Sequence, residues 1–148
     1  IVELDFLTNT PRTSEFNESD PTISPDGRRV AFVSDSSDRY EVYLMSFPGG
    51  GELLQLSMDG GSNPRWNSSG QELFFESSDA ILSVSIAADG PGHVRAEPPE
   101  VLFRLAKNAL QGWRVAQDGQ RFLIALGNPQ DARPAYDVLV GWPQMLGN

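Results

Sequence analysis

The sequence contains no cysteine and only one histidine among its 148 residues. The absence of cysteine excludes disulfides, thiol catalysis and zinc sites with cysteine ligands, but it suits oxidising and reducing compartments alike. Long hydrophobic runs are missing too, since no stretch approaches the roughly 20 apolar residues that a membrane-spanning helix needs. We therefore expect no insertion of this chain into a membrane.

Basic residues are also scarce. Lysine and arginine together number 11 against 20 acidic residues, which gives a formal net charge of −9. Such a charge repels phosphate backbones, so we expect no nucleic-acid partner. Apolar residues make up 39% of the chain and charged residues 21%, which is typical of a globular domain rather than of a disordered chain.

Three turn glycines, Gly27, Gly70 and Gly119, mark an internal repeat with separations of 43 and 49 residues. A period of this length is typical of β-propeller blades, each of which is a small antiparallel sheet. Each glycine lies between two short segments rich in β-forming residues, so each predicts a hairpin. The predicted first strands are 21–24, 63–66 and 112–115, the second strands 30–33, 73–75 and 122–124, and the third strands 40–45, 80–86 and 136–140.

The fourth strands are less regular. Residues 53–56 predict one of them and residues 101–103 another. The segment from Pro98 to Gly112 also fits a helix with a proline start and a glycine stop. The repeat favours the strand, because the second blade needs an outer strand at this point.

The sequence therefore predicts an all-β propeller segment of about three four-stranded antiparallel blades plus a partial blade. Residues 1–19 would be the remnant of a preceding blade, 20–62 and 63–111 two blades, and 112–148 a last, three-stranded blade. This is fewer than the four to eight blades that typically close a ring. We expect a larger ring, completed by missing blades or by a second copy of the chain in a homodimer.

The repeat resembles a known family. The stretch DPTISPDGRRVAFVSD, followed by RYEVYLMSF, is similar to the TolB-type propeller repeat, a relative of WD-repeat propellers. The runs GGSNPRWNSSGQELFF and YDVLVGW resemble the final blades of propellers fused to bacterial serine/threonine kinases or winged-helix regulators. The resemblance implies a six-bladed ring that binds proteins or ligands, in a bacterial regulatory or envelope-associated protein, with a periplasmic or other extracytoplasmic location. It transfers no catalytic residue.

Residues that could carry out catalysis are few. His93 lies in a glycine-rich loop, and the chain has no G-x-S-x-G motif, so we expect no enzyme activity and no cofactor. The alternative is the gating propeller of a prolyl-oligopeptidase-like serine hydrolase, whose chemistry would reside in a separate domain. Asp35, Asp38 and Glu41 could supply oxygen ligands to calcium, but without EF-hand spacing they indicate a solvated turn.

The candidate ligand site consists of Thr22, Arg65 and Arg114, which occupy equivalent positions in the three predicted first strands. In a propeller these strands lie beside the central channel, so the side chains should converge. Two arginines there could bind a carboxylate or a phosphate. The alternative is that each arginine pairs with a carboxylate of a neighbouring blade. We expect a further group of aromatic side chains to form the core between blades: Trp66, Trp113, Phe74 and Phe75.

Overall fold

The computed structural model describes residues 3–4, 11–12, 15–48, 51–88, 93–105, 110–127 and 135–140. These residues form strands joined by turns and short loops. The strands are β1 (Glu3–Leu4), β2 (Pro11–Arg12), β3 (Glu18–Ile23), β4 (Arg29–Ser34), β5 (Glu41–Ser46), β6 (Leu54–Gln55), β7 (Ser62–Trp66), β8 (Glu72–Glu76), β9 (Ala80–Ala88), β10 (Val94–Ala96), β11 (Glu100–Arg104), β12 (Leu110–Val115), β13 (Arg121–Leu126) and β14 (Ala135–Val140). Within these ranges no helix is long and apolar enough to cross a membrane.

The strands form successive antiparallel sheets, each of which follows the order of the chain. One sheet has the order β3-β4-β5-β6, the next is built on β7-β8-β9, and the third has the order β12-β13-β14. A two-stranded sheet of β1 and β2 precedes them. This all-β architecture confirms the predicted fold class. The sheets start at Glu18, Ser62 and Leu110, and the division of the chain at residues 20, 63 and 112 stays a prediction from the repeat.

The outer strand of the second sheet is split into two pieces. Both β10 and β11 pair with the same edge of β9, so the strand reading of this segment is confirmed. The prediction missed β10. Pro98 and Pro99 lie between the two pieces and have no backbone N–H to donate, which interrupts the ladder.

The three hairpin turns have one geometry. The glycines have φ of 71°, 70° and 70° for Gly27, Gly70 and Gly119, a conformation that glycine adopts without the steric cost of a side chain. The residue three positions before each glycine donates its backbone N–H to the carbonyl of the residue two positions after that glycine. The three pairs are Ser24–Arg29 (2.9 Å), Asn67–Glu72 (3.0 Å) and Ala116–Arg121 (2.8 Å). The aligned glycines therefore mark equivalent turns, as the repeat predicted.

A bulge in the first strand of each sheet repeats as well. Four residues of β3, from Ser19 to Thr22, lie opposite three residues of β4, and β7 has the same irregularity against β8. The extra residue brings Asp20 and Asn63 to φ of 50°. Aspartate and asparagine tolerate this left-handed conformation better than most residues. The bulge accounts physically for the Asp-Pro and Asn-Pro steps of the repeat.

Apolar side chains between neighbouring sheets form the core. The first and second sheets share a buried cluster that consists of Ala31, Val33, Val42, Leu44, Leu56, Leu73, Phe75, Val84 and Ile86. The second and third sheets share another, which consists of Phe74, Ile81, Leu102, Trp113, Phe122 and Ile124. Phe74 and Phe122 meet edge to face with ring centroids 5.1 Å apart, a favourable geometry for aromatic pairs. Stacked in this way, the sheets bring their first strands together along one side.

Candidate functional site

Thr22, Arg65 and Arg114 line one open groove of about 520 Å³. The structure thus brings together the three residues that the repeat register singled out, although their role in binding stays a prediction. The groove lies where the first strands enter the hairpin turns. The other residues that line it are Ile23, Pro25, Trp66, Asn67, Ser68, Val115, Ala116 and Gln117.

The Arg65 guanidinium is held by an aromatic ring rather than by a carboxylate. It lies over the Trp113 ring with its central carbon 5.5 Å from the ring centroid, a cation–π contact. Its Nε atom is buried and has no hydrogen-bond partner among the described residues. Within the same ranges neither Arg65 nor Arg114 forms an ion pair. The alternative, in which each arginine pairs with a carboxylate of a neighbouring blade, is therefore not seen among the described residues.

The charges around Arg65 oppose one another. Burial lowers the pKa of Arg65, and the positive charge of Arg114 lowers it further, whereas Glu76 and Asp20 act in the opposite direction. Arginine remains protonated at any physiological pH, so Arg65 is a partly buried cation whose charge is disfavoured first by desolvation and then by Arg114. The two arginines therefore favour an additional negative charge in the groove.

Glu76 positions the ring beneath Arg65. Its Oε2 accepts a hydrogen bond from the Trp113 indole N–H at 2.8 Å. Its Oε1 accepts from the Ser62 hydroxyl at 3.0 Å and from the Asn63 side-chain amide at 2.6 Å. Glu76 therefore supports the ring beneath Arg65, and no ion pair between Glu76 and Arg65 is present among the described residues.

Contacts between the first two sheets build the other side of the groove. The Trp66 indole N–H donates to the Thr22 carbonyl at 3.2 Å, which ties β7 to β3. Ile23 is 52% exposed, so its side chain is available to a ligand. Arg114 is exposed. Its Nη1 donates to the Trp113 carbonyl at 2.7 Å, which orients the Arg114 side chain. Arg114 thus lies on the same strand, β12, as the Trp113 ring that lies under Arg65.

Phe74, Phe75 and Trp113 are buried, as the interpretation of these aromatics as core predicted. Trp66 is half-buried and lines the groove as well as packing against the core. The sequence did not indicate the platform role of Trp113 or the supporting role of Glu76. The one available signal is that Glu76 places a carboxylate at the end of β8, opposite Ser62 in the ladder.

The other residues considered for chemistry lie apart from the groove. His93 is exposed, with its Nδ1 3.8 Å from Glu52 Oε2. Asp35 accepts hydrogen bonds from the backbone and side chain of Asn17, which lower its pKa. Glu41 is buried and accepts hydrogen bonds from Arg39, Ser57 and Gly60. The described residues contain no group of three or more acidic or histidine side chains placed to hold a metal ion.

Comparison with known proteins supports the fold. No protein-family model matches the chain, and no curated protein matches its sequence. Among solved structures, TolB from Acinetobacter baumannii is similar with a TM-score of 0.54 and 18% identity, over 92% of this chain and 34% of that one. Oligogalacturonate lyase from Vibrio parahaemolyticus is similar with a TM-score of 0.59 and 13% identity, over 84% of this chain and 35% of that one.

Both similar structures are β-propellers, so the chain has the fold of a TolB-like propeller module. It spans about a third of the length of each. At these identities the likeness concerns the fold alone. A lyase is one of the two proteins, so the fold by itself does not decide between binding and catalysis.

Proposed function

We propose that this chain is a non-catalytic binding propeller module whose groove at Thr22, Arg65 and Arg114 receives an anionic group of a ligand or protein partner. The observation that carries the proposal is the Arg65 guanidinium, which lies over the Trp113 ring and lacks an ion-pair partner among the described residues. In a chain of net charge −9, two neighbouring arginines that form no ion pair with any described residue are a local exception. Arginine is well suited to carboxylates and phosphates because its donors form a planar fork.

The composition of the groove supports binding rather than catalysis. The described residues that line it include no aspartate, glutamate, histidine, cysteine, lysine or tyrosine. General acid–base catalysis needs a group that exchanges a proton near the working pH. The lining hydroxyls of Thr22 and Ser68 lack a neighbouring base of that kind within the groove. These residues are therefore suited to holding an anion and orienting it.

The proposed setting is a bacterial regulatory or envelope-associated protein outside the cytoplasm. Its support is the resemblance of the repeat to TolB-type propellers, together with the fold shared with TolB. A further part of the proposal concerns ring closure. Ala31 and Phe74 are buried between sheets, whereas Leu123, at the equivalent position of the third sheet, is 46% exposed. We expect further propeller blades, from the same polypeptide or a second copy, to cover Leu123.

Thermal melting tests the groove directly. A ligand that binds only the folded chain raises its Tm by mass action. Acetate and inorganic phosphate, each compared with chloride at matched ionic strength, should raise the Tm of the full chain. The Arg65→Gln variant should lose this increase.

The matched control is Arg104→Gln. Arg104 is exposed, pairs with Asp79 at 3.0 Å and does not line the groove, so this variant should keep the anion effect. Equal responses of the two variants, or no anion effect in the unaltered chain, would refute the proposed function.

A further inference from the structure

The groove joins a cationic end to an apolar wall. Arg65 and Arg114 supply the positive charge, while the half-exposed Ile23 side chain, Trp66 and Val115 line the same cavity. An inorganic anion would use only the arginines and leave this wall in water. Contact with the wall would add a favourable term in proportion to the apolar area that is covered. A ligand that carries its anion next to an apolar group matches both parts.

The nearby carboxylates favour a single negative charge. Asp20 and Glu76 both act on Arg65 in the direction opposite to Arg114, so their negative charges also reach the place where the anion would bind. A phosphate monoester carries about −1.5 to −2 at neutral pH and would meet greater repulsion from them than a carboxylate. A carboxylate, which carries a single negative charge, therefore suits the groove better than a phosphate monoester.

The geometry of Arg65 suits a planar group. Its guanidinium lies over the Trp113 ring, and the hydrogen bond from Trp113 to Glu76 fixes that ring in turn. Because the Arg65 Nε is buried, a ligand would meet the terminal Nη atoms. A carboxylate can accept parallel hydrogen bonds from a guanidinium held in one plane.

We propose that the groove recognises a carboxylate attached to a carbon that bears an apolar side chain, with the carboxylate at Arg65 and Arg114 and the side chain against Ile23 and Trp66. Two sources offer this chemistry, the free C-terminus of a polypeptide and a small apolar carboxylic acid. The groove opens at the turn end of the first strands, beside Pro25 and Ser68, where the end of another chain can reach it. This inference rests on the proposed function and specifies its ligand.

Calorimetric titration of the full chain tests the proposal with four probes: acetate, N-acetyl-leucine, N-acetyl-leucinamide and an N-acetylated hexapeptide that ends in leucine with a free carboxylate. We expect N-acetyl-leucine to bind at least about tenfold more tightly than acetate, which corresponds to about 1.4 kcal/mol. The uncharged amide should bind at least about tenfold more weakly than N-acetyl-leucine. A further gain with the hexapeptide supports the proposal with a protein C-terminus as source, whereas equal affinity supports it with a small acid as source.

Two variants separate the charge from the wall. Arg65→Gln should weaken N-acetyl-leucine and acetate alike, while Arg121→Gln, which removes an exposed arginine paired with Asp118, should weaken neither. Ile23 is exposed, so Ile23→Ser should fold normally, weaken N-acetyl-leucine by at least about threefold and leave acetate unchanged. Circular dichroism of each variant checks that it is folded.

The outcomes distinguish this proposal from the proposed function. If acetate and N-acetyl-leucine bind equally, the apolar carboxylate is refuted while an anion site still stands. If the amide binds as tightly as the acid, the negative charge does not contribute to binding of the leucine compounds, and the apolar carboxylate is refuted; an anion site then stands only if acetate binds and Arg65→Gln weakens it. If none of the carboxylates binds the folded chain, both proposals are wrong.

Discussion

Replacement of Gly27 by alanine tests the turn geometry on which the repeat depends. Gly27 has φ of 71°, and a Cβ atom built there meets nothing within 4 Å. The substitution therefore changes the cost of the backbone conformation without creating a clash. Gly112 is a matched control, because a Cβ there also meets nothing within 4 Å and its φ lies outside the left-handed region.

The expected magnitude follows from the difference between the two variants. Both substitutions reduce the conformational freedom of the unfolded chain, a stabilising effect of about 0.4–1 kcal/mol that cancels in the comparison. The left-handed conformation costs a residue with a Cβ roughly 1–2 kcal/mol. Gly27→Ala should therefore be less stable than Gly112→Ala by about 1–2 kcal/mol. Gly27→Val should be less stable still, because a β-branched side chain is strained further in this conformation.

Urea denaturation followed by circular dichroism measures these free energies, with the slope of the transition as a check that the unfolded state is unchanged. In thermal melting, the difference between the alanine variants should be roughly 2–8 °C for a chain of this size. Equal stability of Gly27→Ala and Gly112→Ala would show that the Gly27 turn does not need a left-handed residue. The turn assignment would then be refuted.

Four further substitutions probe the packing and the charges. Phe74→Ala should lower the free energy of unfolding by about 3–5 kcal/mol, because Phe74 is 1% exposed between sheets. Leu123→Ala, at the equivalent exposed position, should change the free energy of unfolding of the chain by less than about 0.5 kcal/mol. Similar losses for the two variants in urea denaturation would contradict the sheet assignment. Glu41→Gln should cost about 1.5–3 kcal/mol in the same assay, because the buried carboxylate accepts hydrogen bonds from Arg39 and Gly60; a cost near zero would show that these bonds contribute little. Burial raises the pKa of Glu72, with the Ser83 hydroxyl acting in the opposite direction, so the contribution of Glu72 to stability is present at low pH and is lost as the pH rises through the pKa of Glu72 in the folded chain. Glu72→Gln should therefore gain stability relative to the unaltered chain between about pH 4 and about pH 7. A stability difference that stays constant with pH would contradict this.

Features that depend on local chemistry could be predicted from the sequence. The three turns follow from glycine at a fixed distance from two β-forming segments, and the structure places all three glycines in the same conformation. The meeting of Thr22, Arg65 and Arg114 follows from the same alignment, because equivalent positions in neighbouring blades face a common axis. One shared register therefore predicted both the hairpins and the groove residues.

Features that depend on packing between sheets could not be predicted in this way. The cation–π contact of Arg65 with Trp113 and the hydrogen bond from Trp113 to Glu76 join residues of different sheets. Their partners are decided by how the second and third sheets stack, for which the repeat offers no residue-level signal. The split between β10 and β11 was missed for another reason: Val94–Ala96 is too short a segment to stand out from a loop.

The most direct test of the central claim, that the Arg65 guanidinium receives a carboxylate, is a nuclear magnetic resonance titration of the tryptophan indole N–H groups. The Trp113 indole lies under Arg65 and donates to Glu76, so its resonance reports on the charge above the ring. The account predicts that acetate shifts the Trp113 signal saturably in the full chain and that Arg65→Gln abolishes this shift. An unmoved Trp113 signal, or the same shift in the Arg65→Gln variant, would contradict it.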